Sequence, residues 1–266
     1  MRQVAVWFDT LHVADIEVAP DGALSLCYTE RWRLADGAFP LSVTMPLRAA
    51  PYPSEVIAPW LANLLPEEEQ LRILTRSLGI DQADVLALLE QIGGDTAGAL
   101  SFGAPTDRDR WAWRPLTELY GLDDPAEALE RHFEDLGRRP FLAGEEGVRQ
   151  SLAGGQKKSA LAVLDQKGHP VLRLPEQGDV LAVPLNGAPS TLIVKPDNPN
   201  LPGLTENEVW CLRLAAAIGI PAAEATILRA TGRSAIAVLR YADQARWAEL
   251  TADEDFMVDA SRVLDE

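Results

Sequence analysis

The sequence predicts an α+β fold: a small N-terminal subdomain of strands and helices, then a second unit of antiparallel sheet with a helix. Three observations carry this. Residues 4–8, 14–18 and 23–28 are short runs of strand composition, with Asp21-Gly22 as a turn between the last two. From residue 53 to 92 the apolar spacing becomes helical. At Ser151 the pattern changes again, and a stretch rich in glycine and lysine leads back into strand-like runs.

Residues 39–45 suggest a further strand. Residues 53–65 place Val56, Trp60, Leu61 and Leu64 on one helical side. Pro66 suits the first turn of a helix over 67–77, which Gly79 closes. Asp81 is the expected cap for a helix over 82–92, and residues 99–103 read as a returning strand. Residues 104–117 hold prolines and charges without a period, which predicts a linker. Residues 125–136 predict a helix with Ala126, Leu129, His132 and Phe133 on one side, and His132 at the surface or half buried. Strands are expected at 159–165, 171–174 and 191–195. Thr205 and Glu208 match the T-x-x-E capping box, predicting a helix that stops at Gly219 ahead of Pro221. A hairpin over 225–228 and 234–241 turns at Thr231-Gly232. The expected division is 1–103, a linker and helix over 104–145, a binding region over 146–241, and 242–266.

The chain has 266 residues, 47% hydrophobic and 24% charged, ordinary for a globular protein. No apolar run approaches the roughly 20 residues of a membrane span. The N-terminus reads as a strand rather than a signal peptide, so a cytoplasmic protein with no membrane partner is expected. Cys27 and Cys211 lie in apolar stretches and are expected to be buried free thiols. The three histidines lie far apart in sequence, which predicts no histidine metal site. A net charge of −16 opposes a broad nucleic-acid footprint. It suits a basic partner protein, or serves only solubility.

The basic residues are uneven. Twenty are Arg and four are Lys: Lys157, Lys158, Lys167 and Lys195. "SLAGGQKKSALAVL", residues 151–164, holds two of these lysines beside Gly154-Gly155. A phosphate-gripping loop needs free amides and no Cβ in the way, which these glycines supply. The stretch is neither a Walker A motif nor G-x-G-x-x-G, so a plain glycine hairpin stays open. Lys195 ends an apolar run, where a lysine must reach water or meet an anion. Glu206 and Glu208, in the first turn of the next helix, are available partners. The order of glycine hairpin, lysine strand, helix and hairpin is that of a protein-kinase N-lobe.

Six segments together resemble the HipA family of serine/threonine kinases, the toxins of HipBA toxin–antitoxin pairs. "GAFPLSVTMPLR" (37–48), "PWLANLLPE" (59–67) and "GGDTAGALSFG" (93–103) are similar to the family's N-terminal subdomain. "SLAGGQKKSAL" (151–161), "APSTLIVKP" (188–196) and "LTENEVWCLRLAAAIGIP" (204–221) are similar to its kinase N-lobe. The resemblance spans about residues 4 to 241.

That resemblance implies ATP with Mg²⁺ as cofactor. It implies that Gly154, Gly155, Gln156 and Lys158 form the phosphate loop and that Lys195 contacts ATP. Leu239 and Tyr241 would lie in the adenine hinge, where Val238-Leu239-Arg240-Tyr241 lacks the family's usual Glu. Ser151 matches the loop serine that the family autophosphorylates. A protein serine, as in glutamyl-tRNA synthetase, is the implied substrate. A HipB-like antitoxin is the implied partner, with DNA reached only through it.

Only 25 residues follow Tyr241, whereas a kinase C-lobe takes on the order of 150 residues. No catalytic or Mg²⁺-binding aspartate is identified, and no histidine follows His169. Asp255-Phe256-Met257 lies too close to the hinge for a metal-binding motif, and a helix over 254–264 is expected there. The chain is therefore expected to be a truncated HipA-type kinase, inactive alone. The alternatives are a non-catalytic HipB-binding or regulatory module, or one half of a split kinase.

Overall fold

The computed structural model describes residues 2–96, 100–105 and 107–240. The chain opens as a meander of β1 (Arg2–Phe8), β2 (Leu11–Val18) and β3 (Leu24–Tyr28). Tight turns make each pair antiparallel. Ala19 N donates to Ala23 O at 2.9 Å across the Asp21-Gly22 turn. The two-residue period puts Val4, Val6, Ile16 and Leu26 on the buried face. Cys27 falls on the other face and is exposed, as is Cys211, so the expectation of buried thiols fails while both remain free.

Helix α1 (Glu30–Arg33) is capped by Thr29. The strand expected over 39–45 does not form. Pro40 falls inside it and Pro46 directly after it, and proline removes the amide a ladder needs. One side chain holds this segment instead. Leu41 N donates to the Tyr28 hydroxyl at 2.7 Å, and that hydroxyl donates to Met45 O at 2.6 Å. The next strand is β4 (Tyr52–Pro53), paired with β3.

Helices α2 (Ser54–Ala62), α3 (Glu68–Leu78) and α4 (Val85–Ile92) follow. Ile57, Leu61, Leu74, Leu88 and Leu89 join the strand residues in one buried cluster. Gly79 ends α3 at φ 66°, a left-handed turn that costs glycine least. Helix α4 is capped by Asp84, not Asp81. Asp84 accepts from Ala87 N at 2.9 Å, while Asp81 holds a turn through Ala83 N. Strands β5 (Asp95–Thr96) and β6 (Leu100–Phe102) close the unit, giving the sheet order β4-β3-β2-β1-β6.

The second unit begins inside the expected linker. After a 3₁₀ turn at Arg108–Arg110 come β7 (Ala112–Pro115), α5 (Leu116–Tyr120) and α6 (Pro125–Leu136). Then follow β8 (Gln150–Ser151), β9 (Ser159–Leu164), β10 (Pro170–Val171) and β11 (Val180–Leu185). Strand β12 (Leu192–Pro196), α7 (Leu204–Ala217), β13 (Ala225–Arg229) and β14 (Ser234–Leu239) complete it. The main path of the sheet is β13-β14-β12-β9-β11-β7, with β10 on β9. So residues 112–115 are a sheet edge rather than a linker. Strand β11 tolerates Pro184 because β9 pairs only with Val180 to Ala182, while Pro184 lies opposite Trp113 of β7.

His132 is fully buried in α6, contrary to the surface or half-buried position expected, since it packs inward beside Leu129 and Phe133. Helix α7 starts at Leu204 behind Gly203, with no side-chain cap, so the capping box is not made. Its Val209 packs with Ala225 and Ile236 on the sheet, while Trp210, Leu214 and Ile218 are exposed on its outer side. Among the described residues no helix is long and apolar enough to cross a membrane. Tyr241 and the helix expected over 254–264 lie outside the described residues.

Candidate functional site

Lys195 and the glycine stretch come together. Strand β12 lies between β14 and β9. Its buried residues, Leu192, Val194 and Pro196, alternate with half-buried Ile193 and Lys195. Glu208, in the second turn of α7, meets Lys195 with Nζ to Oε1 at 2.6 Å. Glu206, the other available carboxylate, is exposed. The capping box is missing because Gly203 takes the N-cap position, which leaves Thr205 inside the helix and Glu208 turned to the lysine.

The stretch from Ser151 is not a hairpin arm paired to β9. Strand β8 instead runs parallel to β5 of the first unit, with Thr96 opposite Ser151. Pro66 then bridges to Gly154, and Gln70 Nε2 donates to Gly155 O at 2.9 Å. The loop thus crosses from the first unit to the second sheet. Gly154 has φ 103°, and a Cβ there would stand 2.6 Å from Lys158 Nζ. The conformation requires glycine, and a Cβ would also push the Lys158 ammonium aside. A Cβ on Gly155 would lie 2.9 Å from Glu67 Oε2. Gln156 is half buried in the same loop.

Lys158 turns into the loop and donates to Ala153 O. Burial, and then the charge of Lys195, push its pKa below the usual lysine value, against the pull of Glu67 and Glu208. Two ammonium groups close enough to repel are held beside a glycine turn. An added anion would relieve that repulsion. Lys157 points elsewhere: its Nζ stands 3.2 Å from where a Gly137 Cβ would be, at the end of α6. Lys167 lies in an exposed turn.

Ser151 is fully buried, and its hydroxyl donates to Leu64 O at 2.5 Å. At the hinge position, Leu239 N donates to Glu224 O at 2.8 Å and Arg240 N to Thr191 O at 2.9 Å. Neither amide is free to donate to a base. Tyr241, the other hinge residue, is outside the described residues. Among the described residues no three His, Cys, Asp or Glu side chains are grouped to hold a metal ion.

Sequence reasoning assigned no role to Glu67, Gln70 or Arg240. Glu67 closes the "PWLANLLPE" segment, but nothing there shows that it reaches a loop more than eighty positions away. Arg240 is buried, and its guanidinium donates to Ser190 Oγ and, at 2.8 Å, to Thr96 O. Nothing in the sequence signalled this role, since Arg240 matches the family's hinge pattern and the missing Glu falls at Leu239.

The HipA N-terminal domain family matches residues 4–103, and the HipA-like C-terminal domain family matches residues 150–264. The chain belongs to the HipA family. A Sinorhizobium fredii protein named "Putative kinase Y4mE" is 36% identical over 241 residues, covering 91% of the chain and 54% of that protein. The serine/threonine-protein kinase toxin HipA of Shewanella oneidensis is 31% identical over 237 residues, covering 87% of the chain and 49% of the toxin. The solved complex of Shewanella oneidensis HipA with HipB and operator DNA contains a similar chain. It has a TM-score of 0.67 and 28% identity, covering 90% of this HipA-family chain and 50% of that one. The chain spans about half the length of these relatives.

Proposed function

We propose that this HipA-family chain is the nucleotide-gripping part of a serine/threonine kinase and transfers no phosphate by itself. The observation that carries this is the junction of Lys158 with the Lys195–Glu208 pair beside Gly154-Gly155. Lys195, fixed by Glu208, would hold an α- or β-phosphate oxygen. Lys158 would exchange the Ala153 carbonyl for a second one. ATP with Mg²⁺ supplies the γ-phosphoryl group for a protein serine, as in glutamyl-tRNA synthetase for the family. Transfer would need groups from the half of the family's length that the chain does not span.

A HipB-like antitoxin is the proposed partner in a cytoplasmic setting, supported by the solved relative's complex. DNA would be reached through the antitoxin alone, in keeping with the net charge of −16. Titration with Mg-ATP tests the phosphate site. We expect affinity no tighter than about millimolar, near 4 kcal/mol, lost in Lys195→Ala. Micromolar binding that survives Lys195→Ala would overturn the assignment. Labelled phosphate appearing on the purified chain would overturn the claim of inactivity.

The half-length coverage favours a second reading, in which the chain is one half of a split kinase or an antitoxin-binding module. Mixing it with the second half of a relative separates these. Restored transfer supports the split kinase. Antitoxin binding without transfer supports the module.

A further inference from the structure

We propose that Gln70, on α3 of the N-terminal unit, is a positioning residue for the phosphate loop; this rests on the phosphate-site assignment above. Its amide group crosses between units and donates to Gly155 O at 2.9 Å. The side chain has little freedom, since Gln70 is 6% exposed.

The consequence follows from peptide geometry. A trans peptide is planar, and its C=O and N–H point in opposite directions. Drawing the Gly155 carbonyl toward Gln70 therefore aims the Gln156 N–H away from the N-terminal unit. That sends a backbone donor to the side opposite α3, where a phosphate oxygen needs one. Without the tether this peptide can turn about Gly155 ψ, which no Cβ restricts, and Gln156 φ. Two neighbouring contacts fix the rest of the loop to the same segment: Ser151 Oγ to Leu64 O at 2.5 Å, and the bridge between Pro66 and Gly154. Neither sets the Gly155–Gln156 peptide. Gln70 alone among these touches it.

The lysines do not substitute for this tether. Lys158 holds Ala153 O, two peptides earlier, and Lys195 is taken by Glu208. Glu67 reaches Gly155 from the same side as Gln70, but a carboxylate accepts and cannot hold a carbonyl. So donor chemistry at position 70, rather than bulk or charge, sets the direction of the Gln156 amide.

Two variants of the full chain test it. Gln70→Glu keeps the shape and, when ionised, removes the donor. Gln70→Lys returns a donor of similar reach. Hydrogen exchange at residues 153–158, without nucleotide, reads the tether. ATP titration reads its use. We expect faster loop exchange and about fivefold weaker ATP binding in Gln70→Glu, the effect of one hydrogen bond. Gln70→Lys should restore both, while the charge placed at this buried position lowers thermal stability in both variants alike. Unchanged loop exchange in Gln70→Glu would overturn the proposal while leaving the phosphate site intact. Faster exchange with no ATP binding by the unaltered chain would instead remove the phosphate site, and the positioning role with it.

Discussion

At the scale of single residues, burial decides chemistry that the sequence cannot show. His132 was legible as part of an apolar helix side, but its depth depends on α5 packing over it. The Tyr120 hydroxyl lies 3.1 Å from His132 Nδ1, and Nε2 is buried without a hydrogen-bond partner among the described residues. Burial lowers the His132 pKa from 6.5 to about 4, with Asp135 opposing. The unfolded chain therefore binds the proton more readily. Stability from neutral His132 is full above pH 6.5 and falls as the pH drops toward 4. The loss approaches about 3 kcal/mol, at 1.36 kcal/mol per pKa unit. Urea titrations at pH 7 and pH 4.5 should show this slope, and His132→Gln should flatten it. An equal slope in both proteins would assign acid sensitivity to other groups. Ser151 gives a second prediction, tied to the kinase proposal. Its hydroxyl is enclosed, so an active HipA-type kinase should modify it only when the loop opens. A phosphate there adds about −1.5 to −2 charges, which cannot stay beside the Leu64 carbonyl. Phosphate mapping should find Ser151 labelled together with new protease cleavage in residues 151–158. Labelling elsewhere, with Ser151 untouched in a protease-sensitive loop, would rule this out.

At the scale of elements, local signals succeeded where local physics governs. Helix α6 over 125–136 was legible because Ala126, Leu129, His132 and Phe133 fall on one side, and the structure adds a cap, Asp124 accepting from Ala126 N. Gly79 and the Thr231-Gly232 turn were legible as local signals too. The misses depend on distant partners. Strand β7 has four residues and exists because β11 lies beside it. The parallel pair of β5 and β8 has two residues in each strand, too few for any period. Asp81 and Asp84 both suit a cap, and the choice falls where Arg2 also reaches Asp84, at 3.0 Å. Removing the Asp84 carboxylate should therefore loosen α4. Asp84→Ala should cost about 1 kcal/mol, the usual worth of such a cap. Asp84→Asn should keep most of it, because the exposed ion pair with Arg2 adds little. If the two variants lose stability equally, the ion pair rather than the cap is what matters.

At the scale of the whole molecule, the two units meet largely through backbone groups, and the phosphate loop lies in that junction. Arg149 reaches from beside β8 to Glu90 O at 2.8 Å and Phe102 O at 2.9 Å. Arg240, just past β14, reaches Thr96 O on β5, which pairs with the strand holding Ser151. One guanidinium thus joins the hinge end of the second sheet to the strand that seats the loop. The Lys195–Glu208 partnership was legible as a choice between two glutamates, but this junction was not, since a carbonyl acceptor leaves no mark on the residue type. Each hydrogen bond from a charged donor contributes about 1.5–3 kcal/mol, and a buried carbonyl left unpaired adds a penalty. Arg240→Ala should therefore destabilise the chain by about 3 kcal/mol. It should also weaken the coupling between units, so that the first unit, with Trp7, Trp32 and Trp60, unfolds separately from the second, with Trp111, Trp113 and Trp210. Urea unfolding followed by tryptophan fluorescence and by far-UV dichroism should then give non-coincident transitions. Arg240→Lys should not restore coincidence, because a point donor cannot serve Ser190 Oγ and Thr96 O with the fixed fork of a guanidinium. Coincident transitions in Arg240→Ala, at the midpoint of the unaltered chain, would show that the parallel β5–β8 pair and Arg149 hold the units together without it.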